Sequence, residues 1–293
     1  MIFDLNKLMP AEKQYYLQHV IAPRPICFAS TVDKKGNVNL SPFSFFNLFS
    51  THPPIVIFSP ARRVRNNTTK HTLENVMEVP EVVINIVTYD MVHQVSLSSC
   101  EYAKGENEFV KSGFTPVPAP IVKPPMVKES MVKLECKVIE VKPLGTEGGA
   151  GNLVICEVLR MHIDDSLLDE NKKIDQRKIN QVARLGGDWY CKVDETNLFQ
   201  VPKPNTELGI GVDALPEAIR FSQLLTGNNL GQLANVKELP EVDPSFYDDN
   251  LKNIVLYYSL NPDEMEKEIH RYAKKLLDEN KIREAWQVLL SIT

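Results

Sequence analysis

The sequence predicts a mainly β domain folded as a barrel, followed by a helical extension. Strand-like runs at 26–32, 38–40, 55–59, 82–87, 131–143 and 153–163 are separated by turns, with few long helical patterns between them. After about residue 200 the spacing of apolar residues turns helical, at 215–225, 230–236, 247–259 and 264–290. Between the two patterns stands Val201-Pro202-Lys203-Pro204-Asn205, which reads as a linker. The expected division is therefore 1–204 for the barrel and 205–293 for the extension.

Residues 10–21 read as an amphipathic helix with Leu17, Val20 and Ile21 on one side. Ala22-Pro23 stops it, because the residue before a proline avoids the helical region. The first strand, Ile26 to Val32, runs into the polar turn Asp33-Lys34-Lys35-Gly36-Asn37, with glycine where a positive φ is easiest. Val38 to Leu40 resumes the strand. In Ser41-Pro42-Phe43-Ser44-Phe45-Phe46-Asn47, Pro42 is expected to break the ladder and free the amides beyond it. Strand alternation sends Phe43 and Phe45 to one face and Phe46 to the other, with at least one of them in the core. A flat aromatic ligand with a polar rim suits that chemistry.

Helices are expected at 69–77 and 89–99. The prolines at 116, 118, 120, 124 and 125 make 114–126 an extended surface crossing. Gly145 to Gly151 joins the two longest strands. A glycine-rich loop cradles phosphate when a helix follows it; here a strand follows, so it reads as a hairpin turn. In the extension, Pro216 suits a helix's first turn, Gly227 a helix stop, and a break is expected near Asn280.

Composition bounds the function. In 293 residues, 43% hydrophobic and 24% charged content is that of a soluble globular protein. A net charge of −5 invites neither nucleic acid nor an anionic membrane, and no apolar run is long enough to span a bilayer. The N-terminus lacks the basic-then-apolar order of a signal peptide, and the protein is read as cytoplasmic. The five cysteines, Cys27, Cys100, Cys136, Cys156 and Cys191, are odd in number and lack Cys-x-x-Cys spacing, which argues against disulfides and zinc. His162 with Asp164 has no second histidine at a ligand spacing, so no metal site is expected. The segment Arg62-Arg63-Val64-Arg65-Asn66-Asn67-Thr68-Thr69-Lys70-His71-Thr72 offers cations and donors for an anion. On its own it reads first as a solvated basic loop with a helix cap at Thr68 or Thr69.

The stretch Arg24 to Asn47, with arginine-proline-isoleucine, serine-threonine-valine-aspartate, and proline-phenylalanine-serine-phenylalanine-phenylalanine-asparagine, resembles the flavin reductase-like family. Lys70-His71-Thr72 and Glu81 to Ile86 extend the match. The resemblance implies an FMN-binding split barrel with short helices, usually a homodimer with flavin at the interface. It implies that Lys70 and Thr72, with Arg65 third, hold the phosphate, and that Ser30 and Thr31 meet the ribityl chain and ring edge. Ser44, Phe45 and Asn47 would line the ring, largely through backbone amides. Arg184-Leu185-Gly186-Gly187-Asp188-Trp189-Tyr190 resembles the closing motif of a subfamily, which places Arg184 and Tyr190 near the flavin. The implied function is an FMN-dependent oxidoreductase using NAD(P)H, with no catalytic side chain required. The alternatives are a flavoredoxin-like electron carrier reduced by a protein partner, and a non-enzymatic interaction module. Short members that accept NAD(P)H often carry glycine-aspartate-histidine where this chain reads Gly151-Asn152-Leu153, which favours the carrier slightly.

Overall fold

The computed structural model describes residues 1–202 and 208–291. The expected domain boundary at 204–205 and the latter part of the linker lie outside the described residues. The chain divides into two compact units, Met1–Phe199 and Gln200–Thr293.

The first unit carries twelve strands: β1 (Arg24–Pro25), β2 (Cys27–Val32), β3 (Val38–Phe43), β4 (Phe46–Thr51), β5 (Pro54–Phe58), β6 (Glu81–Ile86), β7 (Pro116–Val117), β8 (Met126–Val127), β9 (Val132–Pro143), β10 (Asn152–Ile163), β11 (Val182–Arg184) and β12 (Tyr190–Lys192). Its helices are α1 (Pro10–Val20), α2 (His71–Glu78), α3 (Val92–Leu97) and α4 (Glu108–Ser112). Seven strands form one antiparallel sheet in the order β3-β2-β6-β9-β10-β5-β4. A second, three-stranded sheet runs β1-β11-β12.

All six residues of β2 are buried because both its faces are covered. Cys27 and Ala29 face one core group, with Phe43, Val56, Phe58, Ile84, Cys136 and Cys156, which α2 closes through Leu73 and Val76. Ile26 and Phe28 face another, with Leu40, Met91, Val95, Phe109 and Phe114, under α3 and α4. All five cysteines are free thiols, and burial pushes Cys136 up to about 12.

In the first unit the structure departs from the sequence reading at four places. Strand β3 runs through Pro42, which pairs with Phe28; β3 is an edge strand, where a missing N–H can point away from the sheet. The bend at Ser44-Phe45 resets the alternation, so Phe43 and Phe46 both pack on the core while Phe45 is 43% exposed. Helix α1 forms, yet none of its residues is buried, and Val20 is 74% exposed. The segment 102–112, not expected to be helical, contains α4, capped by Asn107, whose side chain accepts from the Phe109 N–H.

The second unit is helical: α5 (Glu217–Arg220), α6 (Gly227–Ala234), α7 (Asp249–Tyr257), α8 (Pro262–Asp278) and α9 (Ile282–Leu290). It has its own core, with Trp286, Leu233, Ile269 and Leu289 wholly or almost wholly buried. Gly227 opens α6 rather than ending a helix. Thr226 caps α6, its hydroxyl accepting from the Asn229 N–H, and this capping box outweighs the stop signal. The break near Asn280 is present, with Asn280 at φ 59°.

Candidate functional site

The site begins where β5 ends. The Ser59 N–H donates to the Phe45 carbonyl at 2.8 Å, which seats the bend Ser44-Phe45 beside the start of the basic loop. That loop then organises itself. Arg62 donates to Asn67 through Nε at 2.6 Å and through its fork to the Asn67 carbonyl at 2.7 Å. Arg63 donates to Thr68 Oγ1 at 2.9 Å and to the Thr69 carbonyl, and its Nε reaches Glu101 Oε1 at 3.0 Å. Arg65 is exposed and bound to Glu101 Oε2 at 2.6 Å.

Lys70 occupies the N-cap position of α2, and neither Thr68 nor Thr69 does. Its ammonium is half-buried and, among the described residues, makes no hydrogen bond or ion pair. Burial and the neighbouring Arg63 pull its pKa down, against a weaker opposing pull from Glu101. The first N–H groups of a helix have no intrahelical acceptor and carry the positive end of the dipole. Lys70, Arg63 and Arg65 therefore form a cationic corner around Glu101 at this helix start, where the second nearby carboxylate, Glu74, is taken by Thr69 and Lys104.

Two threonines tie α2 to the sheet. Asn39 Nδ2 donates to Thr72 Oγ1 at 2.8 Å, and Asn75 Nδ2 donates to Thr31 Oγ1 at 3.2 Å; all four residues are buried. Thr31 thus faces α2. Ser30 lies opposite Leu40 on the other face of β2, and its buried hydroxyl has no partner among the described residues. The pair Ser30-Thr31 therefore does not present two hydroxyls to one place, because adjacent strand residues point in opposite directions.

The glycine-rich turn between β9 and β10 packs on the basic loop, a role the sequence did not suggest. Arg62 N–H donates to the Ala150 carbonyl at 2.8 Å, and Gly149 N–H to the Arg62 carbonyl at 3.0 Å. A Cβ on Gly148 would stand 2.9 Å from the Val64 carbonyl oxygen. Asn152 is buried, and its amide donates to the Pro60 carbonyl at 2.9 Å. The signal that could have pointed to this was Gly148 itself, since glycine permits close backbone approach.

A sequence model of the flavin reductase like domain matches residues 20–179 of this chain. The chain belongs to that family. An uncharacterised protein from Halalkalibacterium halodurans is 35% identical over 201 residues, covering 68% of this chain and 94% of its own length. One from Aquifex aeolicus is 35% identical over 173 residues, covering 59% of this chain and 86% of its own. Among solved structures, nitrilotriacetate monooxygenase component B from Bacillus cereus is similar, with 27% identity and a TM-score of 0.64 over 69% of this chain and 98% of that one. A proposed flavin reductase with a split barrel domain from Shewanella frigidimarina gives 29% identity and a TM-score of 0.59 over 69% and 99%. The flavin reductase-like unit is thus a split barrel, and its core of mainly antiparallel strands is the fold expected.

Within this flavin reductase-like fold the remaining expected residues are dispersed. Asn47 is exposed on β4, and its Oδ1 accepts from the Leu48 N–H at 2.8 Å. Ser44 is half-buried in the bend. Arg184 and Tyr190 face each other across the β11–β12 hairpin, the guanidinium 4.5 Å from the ring centroid. Arg184 also donates to the Gly187 carbonyl. Their sheet reaches the barrel through β1, which packs against β4. Arg24, within the matched motif but not expected as a functional residue, is buried and donates to three carbonyls: Gln18 at 2.5 Å, Ile21 at 2.6 Å and Leu185 at 2.8 Å. His162 pairs with buried Glu135 at 2.7 Å rather than with Asp164. Among the described residues no cluster of three metal-ligating side chains is present.

Proposed function

We propose that this chain is an FMN-binding flavoprotein oxidoreductase, with residues 1–204 as the flavin domain and 205–293 as a helical extension. The observation that carries the reading is Lys70. A half-buried ammonium with no direct partner among the described residues, at the start of α2, beside Arg63 and sharing Glu101 with Arg65, has the chemistry of a phosphate site. Family membership supports a flavin as the group bearing that phosphate. FMN suits it better than FAD, because one compact cationic corner matches a terminal phosphate.

In this reading Lys70, Arg65 and the first N–H groups of α2 hold the phosphate. Thr72 contributes its backbone N–H, while its hydroxyl accepts from Asn39 and fixes the helix. Thr31 plays the same fixing part on β2. Ser44, Phe45 and Asn47 present backbone and side-chain groups to the ring edge, and Arg184 and Tyr190 stand as a second wall. Bound flavin supplies the hydride or electron transfer, and the protein supplies its seat. Edge strand β4 exposes Leu48 at 56% and Phe49 at 63%, which supports a homodimer that covers this edge.

NAD(P)H is the first candidate donor. One observation favours a second reading, in which a protein partner reduces the flavin. Asn152 is turned inward onto Pro60, and Leu153 stands where short members carry histidine. No imidazole is offered there to seat a nicotinamide.

The test is the visible spectrum of purified protein after incubation with FMN and gel filtration. Flavin absorbance eluting with the protein is expected. Its absence after reconstitution would leave an interaction module as the working reading. Anaerobic bleaching by NADH or NADPH then separates a reductase from a carrier.

A further inference from the structure

The cationic corner is not symmetrical in its partners. Three cations, Arg63, Arg65 and Lys70, stand around one carboxylate, Glu101. Arg63 is only 15% exposed and bonded to Thr68 and Thr69 as well, so it holds the loop in shape whatever Glu101 does. Arg65 is 76% exposed and has Glu101 as its partner. Burial pushes Glu101 up, but Arg65, Arg63 and Lys70 together outweigh it and hold the carboxyl below its ordinary value, so it is charged at neutral pH.

Glu101 comes from the segment between α3 and α4, far from the basic loop in sequence. That segment has a second tether of opposite polarity, Lys104 to Glu74 of α2 at 2.7 Å. Glu101 can therefore let go of Arg65 without releasing the segment from α2.

We infer that Glu101 is a built-in counter-ion that competes with the flavin phosphate for Arg65, and so sets how strongly this chain prefers a phosphorylated flavin to an unphosphorylated one. This rests on the reading of Lys70 and Arg65 as phosphate ligands. A carboxylate already on the arginine must be displaced before the arginine can serve the phosphate, and that lowers affinity for the phosphate alone. The isoalloxazine and ribityl contacts are untouched.

The experiment compares FMN and riboflavin binding to the full chain and to Glu101→Gln, by fluorescence quenching of each flavin. Glutamine keeps the shape and removes the charge. FMN is expected to bind about fivefold tighter to Glu101→Gln, the order of an exposed ion pair released, with riboflavin changed by less than about twofold. In an Arg65→Ala background the gain should shrink to within about twofold, because Glu101 acts through Arg65. Equal tightening or weakening of both flavins would make Glu101 a structural residue and overturn the inference. Weaker FMN binding alone would make it an aligner of Arg65 and overturn it too. A wild-type chain that binds neither flavin would remove the site itself, a result distinct from unchanged FMN affinity in Glu101→Gln, which removes only the competition. Lys104→Met serves as the folding control for the segment.

Discussion

The loop 62–70 and the hairpin 182–192 both carry arginines that the family resemblance marks as flavin contacts, and the fold uses them differently. In the hairpin Arg184 lies on the Tyr190 ring and on Gly187, and opposite it on β1 Arg24 is enclosed by carbonyls. These cations hold strands and the end of α1 together. In the loop, Arg62 and Arg63 do similar internal work, but Arg65 leans on one exposed carboxylate and Lys70, among the described residues, on nothing directly. A cation is available to a ligand only when the folded chain has not already saturated it. Charge in a motif therefore locates a candidate, and the hydrogen bonds decide its role.

The largest effect that could break this contrast is at Arg24. Arg24→Ala leaves three carbonyls without their donor and should lower unfolding free energy by about 3 kcal/mol in urea titration. A loss under about 1 kcal/mol would mean that Arg24 is not structural.

Lys70→Met should do the reverse: FMN affinity falls roughly thirtyfold while the melting temperature stays level or rises, since a desolvated ammonium without a partner is removed. A fall in stability with unchanged FMN binding would place Lys70 among the frame residues. The same group fixes a pH dependence. Burial and Arg63 lower its pKa, so its charge is lost at lower pH than for an ordinary lysine. FMN affinity should decline as pH rises through that lowered value, by at most about tenfold per unit for one proton. Lys70→Met should show no such decline.

Thr72 sharpens the division between ligand and frame. Thr72→Val strands the buried Asn39 amide and should cost about 1–2 kcal/mol of stability, while FMN affinity measured on folded protein changes little because the backbone N–H remains. A large loss of FMN affinity at unchanged stability would make the hydroxyl a phosphate ligand after all. The smallest effect is expected at Arg65. Already neutralised by Glu101, Arg65→Ala should weaken FMN only about two- to threefold. A tenfold loss would show that Glu101 does not occupy it.

Much of the fold was legible because it rests on local signals. The polar turn with Gly36 at φ 86°, the long β9–β10 hairpin and the start of α2 near Lys70 all follow from short-range sequence. The bend that throws Phe45 outward, and the reach of β3 through Pro42, depended on which strand lay next door. For the candidate site, the cationic loop was visible as composition. Glu101 was not, since nothing in 62–72 announces a carboxylate 36 residues past Arg65. The four-residue knot of Thr31, Asn39, Thr72 and Asn75 was equally hidden, because each member reads alone as an ordinary polar residue.

By itself the sequence determined six of the seven strands of the large sheet, the family, and the presence of a basic segment ahead of a helix. Periodicity, turn residues and motif spacing are properties of neighbours along the chain, and they survive without any knowledge of the fold. Only the tertiary structure decided which threonine hydroxyls are engaged within the frame, which arginine is exposed, and that Lys70 stands without a direct partner among the described residues. Those outcomes depend on groups distant in sequence meeting in space, where burial and hydrogen bonding assign each polar atom to the frame or leave it for a ligand.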